Sequence, residues 1–321
     1  MKSQFLGLLV SISLLFTFTT LFSQQQVELV TQNGSLFGTL LVSEASEKRP
    51  VVLIIAGSGP TDRDGNQVFM NNNSLKYLAE GLSDMGVASL RYDKRGIGAS
   101  RLAGGKEEEF TIDVFIDDAV LWIKTLQADS SFSSVFVAGH SEGSLIGMVA
   151  CNKIQGVSGL ISIAGARRSA DLILKEQLAS QPDIIKDYSY GIIDRLKSAD
   201  TVSNISPLLM SLFRPSVQPY LISWFKYDPA SEVAKISVPT LILQGTTDIQ
   251  VSVSDANLLK EASPSAELAI LEGMDHILKA SKNADSNEQF KNSYANPDTR
   301  IMLEPVTKIV DFIKRVNANK P

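Results

Sequence analysis

Gly139-His140-Ser141-Glu142-Gly143 sets a serine between two glycines in the spacing G-x-S-x-G, where the apolar run Ser134 to Gly139 gives way to a helical pattern from Ser144 to Lys153. A strand that turns sharply into a helix lifts such a serine clear of a sheet and leaves its Oγ at the positive end of the helix. That is a setting for nucleophilic attack on a carbonyl carbon. The turn is too tight for Cβ atoms to pass, which accounts for the glycines on both sides of a strained serine.

A hydroxyl attacks when a base takes its proton. The chain holds two histidines, His140 and His276. His140 directly precedes the serine, so the turn sends its ring to a different side and it reads as a packing residue. His276 stands just past the strand-like run Ala266 to Gly273 and is the candidate base. The candidate orienting acid is Asp248, three residues past the run Pro239 to Gly245. One helical pattern separates these two runs, and strands joined by a single crossover are normally neighbours, so the loops carrying Asp248 and His276 should meet. Asp275 would point away from His276, and Asp255 falls within a helix.

The elements that must hold these residues are legible as an alternation. Val27 to Val42 carries Asn33-Gly34, a two-residue hairpin signal between alternating stretches. Pro50 to Gly57, Val87 to Asp93, Ser134 to Gly139, Leu160 to Gly165, Pro239 to Gly245 and Ala266 to Gly273 are nearly continuous apolar runs, the mark of strands buried on both faces. Helical patterns over Leu75 to Met85, Phe110 to Ala128, Ser144 to Lys153, Val253 to Ala262 and Pro305 to Val316 lie between and after them. The class is α/β, a mostly parallel sheet with helices on both faces. From about Ala166 to Asp228 the rhythm breaks into three or four helical segments with seven aromatics in 63 residues. This reads as a helical insertion over the strand ends. Ser281 to Thr299 is polar and reads as a surface excursion before the last helix.

Composition narrows the classes further. The 321 residues are 44% hydrophobic and 20% charged, which describes a globular chain and excludes disorder, collagen and a polytopic membrane protein. A net charge of −5 offers no footprint for a polyanion, so no nucleic-acid partner is expected. A lone Cys151 forbids an intrachain disulfide and, with only two histidines, a Cys/His zinc site. Gly57-Ser58-Gly59 and Gly96-Ile97-Gly98 lack the third glycine of a dinucleotide fingerprint. Asp62-Arg63-Asp64-Gly65 resembles a calcium loop, but Asn73 stands where the bidentate acid belongs. Ion pairing among Asp62, Arg63, Asp64, Asp93 and Arg95 is the expected role there. Lys2 followed by an uncharged stretch from Ser3 to Val27 reads as a signal peptide ending near Ser23, hence an exported chain; a retained anchor through residues 5–22 is the alternative.

Two further stretches, Ala56 to Asn66 (AGSGPTDRDGN) and Arg91 to Ser100 (RYDKRGIGAS), join the order Ser141, Asp248, His276 in pointing to a family. The chain resembles the α/β-hydrolase superfamily over essentially its whole mature length, and within it the esterase D-type bacterial hydrolases, near the serine aminopeptidase-like relatives. The resemblance implies the α/β-hydrolase fold, with a core from 24–165 and 229–321 and a helical cap, 166–228, inserted after the sixth strand. It also implies hydrolysis of small carboxylic esters without a cofactor; no metal is expected from the Cys and His count, and no stable membrane association once the signal is cleaved. Gly57-Ser58 stands at the family's oxyanion loop, with Ala56 where a histidine is usual. By that resemblance the oxyanion donors are the N–H groups of Ser58 and Glu142. Two other readings stay open. An aminopeptidase-type enzyme would use cap carboxylates among Asp171, Glu176, Asp183, Asp187, Asp194 and Asp200 to grip an α-amine, and a non-catalytic protein would bind without turnover.

Overall fold

The computed structural model describes residues 22–43 and 47–319. The leader expected over 1–23 lies outside the described residues except for Phe22 and Ser23, which open the first strand. Eight strands, β1 (Phe22–Thr31), β2 (Gly34–Ser43), β3 (Arg49–Ile55), β4 (Ala88–Tyr92), β5 (Phe132–His140), β6 (Gly159–Ile163), β7 (Thr240–Gly245) and β8 (Glu267–Leu271), form one sheet in the order β1-β2-β4-β3-β5-β6-β7-β8. β2 runs antiparallel to both its neighbours, and all pairings from β4 to β8 are parallel. The expected hairpin is there, but its two-residue turn is Gln32-Asn33, one residue earlier than Asn33-Gly34, and Gly34 opens β2 at a φ of 105° that a side chain would oppose.

Alternate strand residues face opposite layers. Val51, Leu53 and Ile55 pack with α2 (Ile112–Ala128), α3 (Glu142–Lys153) and, farther along the same face, α9 (Val253–Ala262). Val52 and Ile54 pack instead with α1 (Ser74–Asp84) and α11 (Leu303–Ala318). Both faces are therefore covered, which explains the unbroken apolar runs of β3 to β7. β8 differs from the expectation of a strand buried on both faces. It lies at the sheet edge, and Ile270 remains 38% exposed.

Between β6 and β7 the chain builds α4 (Ala170–Leu178), α5 (Asp183–Lys197), α6 (Met210–Phe213), α7 (Gln218–Trp224) and α8 (Pro229–Ala234). Leu174, Ile193, Leu196, Phe213, Leu221 and Phe225 give the first four of these a core of their own, whereas Val233 of α8 joins the core beneath the sheet. Gln218, fully buried, binds both backbone groups of Val202 and the carbonyl of Phe213, so it satisfies polar atoms that the short helices leave over. The polar stretch read as a surface excursion holds α10 (Ser286–Gln289) and a π-turn over Phe290–Tyr294. Buried Lys279 anchors it by donating to the carbonyls of Ser293 and Asn296.

Candidate active site

Ser141 follows the last residue of β5 and precedes α3, with φ 54° and ψ −120°. Such a conformation costs a non-glycine residue roughly 1–3 kcal/mol and persists only where the surroundings enforce it. Here the Ser141 N–H donates to the Ile163 carbonyl at 2.9 Å. A Cβ at position 139 would collide with the Gly143 carbonyl, and one at 143 with the Ile55 carbonyl. The two glycines are thus required by close backbone approach, as the sequence spacing implies.

β7 and β8 pair in register through Gly245 and Leu271, and the loops beyond them meet. His276 Nδ1 lies 2.8 Å from Asp248 Oδ2, with the two side chains 4% and 0% exposed. A carboxylate only accepts, so the ring proton sits on Nδ1 and Nε2 keeps its lone pair. Gln244 Nε2 donates to the same Asp248 oxygen, and the N–H groups of Gln250 and Val251 donate to the other. Burial alone would raise the Asp248 pKa, but the His276 ring and these N–H donors outweigh it and hold the carboxyl below its usual range. Asp275 points away from this pair: buried, it accepts from the Ile277 and Lys279 N–H groups and shapes the turn.

His140 packs behind His276. Its Nε2 bonds the His276 carbonyl oxygen at 2.7 Å, and the two rings lie 4.8 Å apart. Burial, reinforced by the neighbouring ring, lowers its pKa from 6.5 to about 4, so at neutral pH it is an uncharged donor.

A small cleft of about 90 Å³ touches Ser141, His276, Ser58, Thr61, Asn72 and Tyr294. On the other side of Ser141 a second cleft of about 350 Å³ runs beneath the cap helices, walled by Leu145, Ile173, Leu174, Leu212, Val217 and Trp224. Ser58 borders both, and a Cβ on Gly57 would stand 3.2 Å from Ser141 Cβ, so the loop after β3 is pressed against the serine. The Glu142 N–H, at the first position of α3, belongs to the helix end that has no carbonyl partner within the helix.

The charged residues beside this loop are structural. Asp93 binds Arg63 at 2.7 Å and also accepts the N–H groups of Arg63 and Ala99, while Arg91 binds Asp64 at 2.6 Å. Asp62 caps its own turn through the N–H groups of Asp64 and Asn66. Arg95 departs from the expected cluster and pairs with Asp118 of α2 at 2.7 Å. Of the six cap carboxylates, Asp171, Glu176, Asp183, Asp194 and Asp200 are each paired with a Lys or Arg, Asp187 is exposed, and none lines the cleft beside Ser141. Among the described residues no three His, Cys, Asp or Glu side chains group to hold a metal ion.

Sequence reading missed the groups beneath the serine: buried Lys94 and the buried Glu142 side chain form one network with half-buried Tyr220, and Gln244 bonds Asp248 from inside β7. Lys94 stands within the RYDKRGIGAS stretch, but nothing local marks what it bonds.

Residues 70–186 match the model of the serine aminopeptidase family, S33. Esterase EstD of Thermotoga maritima is 26% identical over 286 residues, and the match takes in 86% of this chain and 65% of that protein's length. Among solved structures, Est1E of Butyrivibrio proteoclasticus with bound ferulic acid aligns with a TM-score of 0.61 at 18% identity, over 91% of this chain and 100% of that one. The α/β hydrolase GrgF of Penicillium sp. sh18 aligns with a TM-score of 0.61 at 21% identity, over 92% and 99%. At such identities the structural likeness establishes a shared fold.

Proposed function

We propose, from the premise that the chain is an α/β-hydrolase, that it hydrolyses small carboxylic esters by transferring the acyl group to Ser141. In this reading Ser141 Oγ attacks the ester carbonyl while His276 Nε2 takes its proton. The Asp248 carboxylate holds the Nδ1 proton and stabilises the imidazolium that forms. The N–H groups of Ser58 and Glu142 receive the carbonyl oxygen as its charge develops. His276 then returns the proton to the departing alkoxide, and the carbon–oxygen bond to the alcohol breaks. Water, deprotonated by the same ring, cleaves the acyl-enzyme and restores the serine.

The observation that carries the reading is the convergence of a strained Ser141 and an Asp248-bound His276 on one cleft. The likeness to Esterase EstD supports the substrate class. The apolar walls of the larger cleft suit an acyl portion; none of the six cap carboxylates lines it, and the carboxylate that does, Glu142, is already paired with Lys94. The uncharged N-terminal stretch supports export of the chain, as an enzyme of the periplasm or the medium. Hydrolysis of p-nitrophenyl esters compared with alanine and proline p-nitroanilides tests the substrate class. Ester turnover with little anilide cleavage is expected; the reverse preference would make the chain a peptidase. Labelling by a fluorophosphonate separates both from a protein that only binds.

A further inference from the structure

Two charges are buried beneath Ser141 with no part in the proton transfers. The Lys94 and Glu142 side chains are 3% and 1% exposed, and Lys94 Nζ lies 3.0 Å from Glu142 Oε1. Lys94 Nζ also donates to the Gly57 carbonyl at 2.6 Å and rests 5.4 Å from the centre of the Phe115 ring. The second Glu142 oxygen accepts the hydroxyl of Tyr220, from α7 of the cap. Removing an ion pair from water costs as much as the pair returns, and apolar replacements of similar volume are often as stable. Stability alone therefore gives little reason for a lysine and a glutamate here.

Their bonding partners do. The Gly57 carbonyl and the Ser58 N–H are the two ends of one planar peptide group and point in opposite directions. An ammonium on that carbonyl fixes where the Ser58 N–H points and polarises it as a donor. The same ammonium holds the side chain of Glu142, whose own N–H opens α3. We propose that Lys94 is a positioning residue that sets the Ser58 and Glu142 N–H groups as one oxyanion site, with Tyr220 tying the cap to it. The inference rests on the reading of those two N–H groups as the oxyanion donors. It makes the ion pair part of transition-state recognition through the backbone N–H groups that it sets.

The test uses Lys94→Met and the double variant Lys94→Met with Glu142→Gln, which leaves no unpaired buried charge. The second-order rate of fluorophosphonate labelling is compared with kcat and KM for p-nitrophenyl acetate and with the melting temperature. Phosphonylation places a phosphoryl oxygen where the ester oxyanion would lie, so it reports the site whatever the natural substrate. Labelling and kcat should both fall on the order of tenfold to a hundredfold, with KM within about twofold of the parent. A folded variant, either one, that labels at the parental rate overturns the proposal, and a lowered melting temperature alone would make the pair a packing device. If the parent chain labels but leaves esters intact, the ester reading fails while the positioning role stands. If the parent does not label, both fall.

Discussion

His140 supports His276 from behind, and pH should expose that support. Its ring donates to the His276 carbonyl and is uncharged in the folded protein at neutral pH, with a pKa pushed down from 6.5 to about 4 by burial. Between those values the unfolded chain binds the proton and the folded chain does not, so stability rises with pH through this window. Its contribution is fully present above 6.5 and is lost as pH falls to about 4, a change on the order of 3 kcal/mol. Denaturant unfolding at a series of pH values should show this slope in the parent and a shallower one in His140→Gln; identical slopes would show that His140 titrates alike in both states. The same substitution should leave most of kcat. His276→Ala should abolish it, and Asp248→Asn should lower it on the order of 10⁴-fold, since the amide cannot hold the Nδ1 proton or the imidazolium in the same way. Equal losses of kcat in folded His140→Gln and His276→Ala would remove the ground for choosing His276 as the base.

Among the elements, the helices between β6 and β7 wall the larger cleft, and the ends of β5, β7 and β8 lead to Ser141, Asp248 and His276. Trp224 of α7 lines the larger cleft and lies 5.7 Å from Tyr220, centre to centre, while also packing on the cap core. Trp224→Ala should lengthen the preferred acyl chain across a p-nitrophenyl ester series and change acetate turnover far less. A uniform loss of rate together with a lower melting temperature would assign the ring to cap packing instead. The strands were legible as apolar runs, and Ser141, Asp248 and His276 stood out as candidates because each lies within three residues of the end of such a run, a local signal. The edge position of β8 was not, since an apolar strand looks alike in the middle of a sheet and at its rim. Nor was the network around Lys94 legible: its bonds join residues 37, 48 and 78 positions apart, and no periodicity or motif records such contacts. The helix and π-turn after Ser286 escaped notice for a related reason, because polar residues there are held by a buried lysine rather than by an apolar face.

For the whole molecule, export and acyl transfer are separate propositions with separate tests. Mass spectrometry of the N-terminus from the source cells should find Met1 to about Ser23 missing, which would leave Gln24 to Thr31 of β1 paired with β2. An intact Met1 in the membrane pellet would make residues 5–22 an anchor. Acyl transfer can be read on the protein itself. A p-nitrophenyl ester mixed with the enzyme, quenched in acid within the first turnovers and digested should yield the peptide containing Ser141 heavier by one acyl group, and Ser141→Ala, still folded, should yield no acylated peptide and turn over several orders of magnitude more slowly. An acyl group found on another residue, or a Ser141→Ala protein that keeps most of the parental rate, would contradict acyl transfer through Ser141.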